Sequence, residues 1–195
     1  MSAQASVLHS DDAVLVVVDV QERLAAVMDR RQFVLDACDK LMRAAALTGV
    51  PVLATRQYPA GLGELEPMLA ERLAALAAAG ASVFVADKVA FDCFAEPTFA
   101  EALAATGRHQ LVLAGMETHI CVTQTALAAL TAGFEVHVVA DACCSRDAEN
   151  HERTLARLSA AGVVVTVAES ALYELVGEAG TDEFRSLLRI VKGQD

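Results

Sequence analysis

An aspartate, a lysine and a cysteine each follow a strand-like apolar run in this chain, and together they could form a nucleophilic site. Cys121 lies in "AGMETHICVTQ" (114–124), where an apolar run ending at Gly115 gives way to a helical pattern. With Thr118 as the N-cap, Cys121 falls at about the third residue of its helix. First-turn amides and the helix dipole there favour an anion, which lowers a thiol's pKa. The same N–H groups could hold a developing oxyanion. Asp19 closes "AVLVVVD" (13–19), so its carboxylate is expected partly buried, with a raised pKa suited to a general base. Lys88 ends the third such run and could pair with that carboxylate or stabilise charge during attack. Plainer readings stand beside these: a buried structural cysteine, a helix-capping aspartate or a partner for Arg23, and a solvated lysine.

The elements that must bring these residues together follow from the hydrophobic pattern. "AVLVVVD" is continuous and β-branched, as in a strand buried on both faces of a parallel sheet. "VPVLATR" (50–56), "SVFVAD" (82–87), "QLVLAG" (110–115), "FEVHVVAD" (134–141) and "GVVVTVA" (162–168) repeat it. Alanine- and leucine-rich segments at 31–48, 67–79, 97–106, 119–132 and 148–161 have helical spacing. Gly49, Gly80, Gly107, Gly133 and Gly162 follow them, where a helix end favours a residue tolerant of positive φ. "SALYELVG" and "TDEFRSLLRIVK" read as closing helices.

This alternation implies right-handed crossovers and an α/β fold. The expectation is a three-layer αβα, doubly wound, six-stranded parallel sheet in the order 3-2-1-4-5-6, forming a single domain over 1–195. Ligands bind such sheets at the carboxyl ends of the strands, near the point where strand order reverses. The informative residues are therefore Asp19 to Gln21, Arg56 to Tyr58, Asp87 and Lys88, Met116 to Cys121, and Asp141 to Arg146.

Composition narrows the class. A formal net charge of −11 argues against a nucleic-acid surface, which needs clustered Lys and Arg. No segment has the roughly 18 consecutive apolar residues of a membrane span, and the N-terminus lacks the pattern of a secretory signal. Five cysteines without framework spacing suit reduced thiols in a cytoplasmic protein. No G-x-G-x-x-G follows a strand and there is no P-loop. The histidines at 9, 109, 119, 137 and 151 have no metal-ligand spacing. His119 reads as a solvated neighbour of Cys121, and His137 as a packed core histidine. Cys143 and Cys144 could form a strained vicinal disulfide, though two small residues after a strand explain them more simply. Cys38 and Cys93 have nothing nearby in sequence to activate them.

"VVVDVQ", "DKVAFDCF" and "GMETHICV", in that order on successive strand ends, resemble the isochorismatase-like cysteine hydrolases. "TRQYPAGLG" and "VVADACCSR" look most like the isochorismatase domain-containing proteins. The resemblance implies a triad of Asp19 as base, Lys88 as electrostatic partner and Cys121 as nucleophile. It also implies a cis peptide joining Met116 to Glu117, with the amides of Glu117 and Cys121 forming an oxyanion hole. The loop "TRQYPAGLG" lacks the aspartate and histidines of metal-binding nicotinamidases, so no metal and no cofactor are expected. Cys121 argues against the vinyl-ether hydrolysis of isochorismatases proper, which lack it. The expected activity is hydrolysis of a small amide-like substrate through a thioester. Gln21, Arg56, Tyr58, Phe91 and Phe94 are expected to line the pocket, Arg56 favouring a substrate carboxylate. The alanine-rich helices suit a homo-oligomer. Two other readings remain: a thiol redox protein using Cys121 or the 143–144 pair, and a non-catalytic binding protein of the same fold.

Overall fold

Six apolar runs pair as parallel strands in the computed structural model, which describes residues 6–194. They are β1 (Ala13–Val18), β2 (Val52–Gln57), β3 (Val83–Lys88), β4 (Gln110–Met116), β5 (Glu135–Cys144) and β6 (Val164–Thr166), in the spatial order 3-2-1-4-5-6. The long helices are α2 (Arg31–Leu47), α4 (Pro67–Ala78), α5 (Pro97–Ala105), α6 (Thr123–Thr131), α7 (Ala148–Ala161), α8 (Ala168–Val176) and α9 (Asp182–Val191). Two four-residue helices, α1 (Glu22–Ala25) and α3 (Pro59–Leu62), lie in stretches that carry no helical periodicity.

Strand alternation divides the core in two. Ala13, Leu15 and Val17 of β1 face the layer of α2, α4 and α8, while Val14, Val16 and Val18 face α5, α6 and α7. Every residue of β1 is buried, because the strand has a neighbour on each side and helices above and below. The edge strands depart from the expected burial. On β3, Phe84 and Val85 are exposed, and β6 is only three residues long and half covered. An edge strand has one neighbour, so a similar apolar sequence buries less there. β5 runs further than expected, past a register break opposite Leu113 and Gly115, to end at Cys144. Cys143 and Cys144 therefore project to opposite faces of the sheet as buried free thiols, and no vicinal disulfide forms.

Strand order reverses between β1 and β4, and the two strand tips come together there by way of Gly115. Gly115 has φ +126°, and a Cβ built on it would lie 2.0 Å from the carbonyl oxygen of Val18. No side chain fits, so β4 can meet the end of β1 only with glycine at this position. Gly115→Ala combines a disallowed φ with backbone overlap. It should destabilise the fold by roughly 2–5 kcal/mol in urea unfolding, and a loss below about 1 kcal/mol would mean that the tips separate easily.

Candidate active site

Asp19 lies one residue beyond β1, in the left-handed region at φ 52°, a conformation that aspartate tolerates better than most residues. Its backbone N–H donates to Thr55 O (3.1 Å), and its carbonyl accepts from the Gln21 N–H (2.9 Å). Its side chain is fully buried. Oδ1 accepts from Thr55 Oγ1 at 2.7 Å, and Oδ2 accepts from Lys88 Nζ at 2.6 Å. Arg23, the plainer sequence partner, reaches the carbonyl of Gly61 instead.

Lys88 ends β3 and is only 1% exposed. Besides Asp19, its ammonium donates to Gln57 Oε1 at 2.7 Å and to the carbonyls of Ala90 and Phe91, each at 3.3 Å. Burial by itself would lower its pKa. The charge of Asp19, with smaller contributions from Cys93 and Cys121, outweighs that and holds the ammonium above the ordinary lysine value.

Cys121 approaches from the other side of the switch point. The Met116–Glu117 peptide is cis, and a π-helical turn, Thr118–Val122, leads into α6. The expected geometry changes here. Glu117, not Thr118, occupies the cap position, and Cys121 sits in a π turn of the kind that often marks functional positions. The hydroxyl of Thr118 pairs instead with His151 Nδ1 at 2.9 Å. Cys121 is 5% exposed. Burial pushes its thiol well up, and the negative charge of Asp19 and a hydrogen bond to it add to this, while Lys88 opposes. The low thiol pKa expected from a helix N-terminus is thus reversed. Burial and the charge of Asp19 both favour the protonated thiol.

Three further residues belong to this cluster. Thr55 holds Asp19 and Gln57 holds Lys88, both from β2. Cys93 opens a 3₁₀ turn (Cys93–Ala95) and donates its N–H to Thr125 Oγ1. Its sulfur lies 4.0 Å from Thr55 Oγ1. Burial pushes its pKa to about 11, Lys88 opposing and Asp19 adding. Thr55 and Gln57 had a readable signal: two polar residues spaced i, i+2 in the otherwise apolar "VLATRQ".

The expected lining residues scatter. Arg56 lies between Thr55 and Gln57 on the strand and so points to the opposite face. There it pairs with Asp87 and Glu64, beside a groove of about 420 Å³ that includes Leu65, Leu73 and Val85. Arg56, expected to line the pocket and favour a substrate carboxylate, thus lies on the face away from the Asp19–Lys88 pair. Gln21 is buried, and both ends of its amide are engaged: Nε2 donates to Gly63 O and Oε1 accepts from the Gln57 N–H, each at 2.7 Å. It secures the loop after β2 and presents no free end to a ligand. Phe94 packs edge-on against Phe99 and Phe134. Tyr58 and Phe91 are exposed on the loops that follow β2 and β3. His119 is partly buried against Ser145 Oγ at 2.9 Å, and His137 is a buried strand histidine paired with Ser6 Oγ at 3.0 Å. Among the described residues, no three His, Cys, Asp or Glu side chains gather to hold a metal ion, and no helix is long and apolar enough to cross a membrane.

The family model described as "Isochorismatase domain" matches residues 13–170. The secreted isochorismatase effector Isc1 of Phytophthora sojae is 34% identical over 182 residues, 92% of this chain and 84% of that protein. Among solved structures, the MAR1 ribonuclease of Caenorhabditis elegans superposes with a TM-score of 0.86 at 28% identity, covering 96% of this chain and 93% of its own. YcaC of Pseudomonas aeruginosa, solved with hexane-2,5-diol and covalent acrylamide, gives 0.84 at 26% identity, with coverages of 96% and 92%.

The buried pair makes a stability prediction. Lys88→Met strands a buried carboxylate and should destabilise the fold by about 3–5 kcal/mol. Adding Asp19→Asn should restore most of that loss, as read from urea midpoints. The folded-state pKa of Lys88 is raised, so the wild-type advantage over Lys88→Met is complete below the unfolded value of about 10.4 and shrinks as pH rises through the folded value. Additive destabilisation in the double variant would show that the two charges do not support each other.

Proposed function

The chain belongs to the isochorismatase family, and on that footing we propose that it is a cysteine-dependent, metal-independent hydrolase of a small amide-like substrate. The observation that carries this reading is one buried carboxylate, Asp19, bonded to the Lys88 ammonium on one side and facing the Cys121 thiol on the other. Cys121 is the nucleophile, Asp19 the base and Lys88 the fixed cation.

Because the thiol is protonated at rest, attack and proton transfer go together. The S–H proton moves to Asp19 as sulfur bonds to the carbonyl carbon, and the π electrons move onto oxygen. The amides of Glu117 and Cys121 receive that oxyanion. Asp19 then passes its proton to the nitrogen, the C–N bond breaks, and an amine leaves a thioester. Water attacks the thioester, giving its proton to Asp19. The proton returns to sulfur as the acid departs. Lys88 remains an ammonium throughout, bonded to the Asp19 side chain. Gln21 acts by holding the loop, while Tyr58 and Phe91 are the rim residues a substrate meets.

Covalent acrylamide in the Pseudomonas aeruginosa YcaC structure is an amide carrying an electrophilic carbon, the chemistry this site would capture. The ribonuclease relative raises a phosphodiester reading, but 26 acidic against 15 basic residues suit a nucleic acid poorly. We place the protein in the cytoplasm on its five free thiols, although the Phytophthora relative is secreted. A homo-oligomer is part of the same reading, with Val85 and Phe91 exposed for a second subunit to cover.

Acrylamide should alkylate Cys121, as located by peptide mass spectrometry, and Cys121→Ala should abolish that adduct. On a panel of small amides and esters, the same variant should lower turnover of any accepted compound about 10⁴-fold or more. Adducts that fall on Cys93 or Cys143 with Cys121 untouched would overturn the assignment.

A further inference from the structure

Gln57 ends β2 opposite Lys88, its register partner on β3, and is 7% exposed. Its carboxamide has one workable orientation. Oε1 accepts from Lys88 Nζ at 2.7 Å, while Nε2 donates to the carbonyl of Val89 at 2.6 Å. Turned over, it would set donors against the ammonium and oxygen against oxygen. The Gln57 N–H is fixed by Gln21 Oε1 at 2.7 Å, and Gln21 is fixed by Gly63, so the side chain is anchored from behind.

The ammonium has three protons and four acceptors within 3.3 Å. The two short bonds, 2.6 Å to Asp19 and 2.7 Å to Gln57, are nearly equal, and the carbonyl bonds are longer. Lys88 is thus shared between a charged acceptor and a neutral one. An ammonium leaning wholly on Asp19 would make that carboxylate a weaker base, because a closer opposite charge favours the ionised form.

Given Asp19 as the base proposed above, we infer that Gln57 is a positioning residue that sets the basicity of Asp19 by drawing Lys88 partly away from it. A neutral acceptor suits this task. An apolar side chain would release the lysine to Asp19, and a carboxylate would divide its charge between two anions. The titratable groups facing this network are Asp19 from the end of β1, Lys88 from β3, Cys93 from its 3₁₀ turn and Cys121 from the π turn.

The test is the rate of acrylamide addition to Cys121 as a function of pH, in wild type, Gln57→Leu and Gln57→Glu, with urea midpoints to establish that each variant is folded. Gln57→Leu should move the acidic limb to lower pH by about half a unit or more and lower the plateau roughly tenfold. Gln57→Glu should move the limb to higher pH by about one unit. A packing defect would not move the limb in opposite directions. Limbs that coincide with wild type, or that move the same way in both variants, overturn the inference while leaving Asp19 as base. A limb absent from wild type, or surviving Asp19→Asn, overturns the hydrolase reading and this inference with it.

Discussion

A carboxylate and an ammonium bonded at 2.6 Å inside the protein govern the rest of this structure. Neither side chain is exposed, so each would cost several kcal/mol to bury alone. The surrounding strand ends make the pair tolerable. Thr55 takes one carboxylate oxygen, and Gln57 with the carbonyls of Ala90 and Phe91 takes the remaining ammonium protons. The pair and its partners come from the end of β1, from β2, and from β3 and the loop after it, and all can meet only where parallel strands end together. Gly115 supplies the last requirement by letting β4 close on Val18, which brings the Cys121 turn to the same place. The switch point of the sheet is where this ion pair can exist with a cysteine beside it.

Burial acts on the thiol and the ammonium in opposing ways, and the balance defines the site. It pushes the Cys121 thiol up, and Asp19 pushes in the same direction, so a standing thiolate is disfavoured. Lys88 is held charged by Asp19 against the same burial. Such a site stores a proton on sulfur and a receptive carboxylate next to it. That differs from cysteines activated by a helix dipole alone, where the thiolate forms before the substrate arrives. In the proposed mechanism the sulfur becomes nucleophilic only as its proton leaves for Asp19.

The fold was largely legible in the sequence, because six β-branched runs separated by helical periods specify a doubly wound sheet almost by themselves. That Asp19, Lys88 and Cys121 would lie close together was legible because each stands at or past a strand end, and strand tips share one rim. Strand parity was overlooked. Arg56 draws attention as a large charged residue, yet Thr55 and Gln57 occupy the face that meets Asp19 and Lys88. Cys93 could not be found from its sequence neighbours, since what makes it part of the cluster is Thr55, 38 residues away. Edge exposure of β3 was equally out of reach, because a strand's place in the sheet is a property of topology, not of its own residues. The π turn at Thr118–Val122 has no sequence period that separates it from an ordinary first helical turn.

The placement of Arg56 and Lys88 bears on the kind of substrate the proposed site would accept. With Arg56 on the opposite face and Lys88 saturated by its four acceptors, neither offers an uncommitted positive charge to an incoming carboxylate. The one positive and one negative charge of the site already cancel each other. An anionic ligand would place a second negative charge near Asp19 in surroundings where burial magnifies repulsion. A neutral amide adds none, and its carbonyl needs only backbone N–H donors. Under the proposed function, selectivity would then fall to shape, through exposed Tyr58 and Phe91, and to the requirement that charge appear on the carbonyl oxygen only during attack.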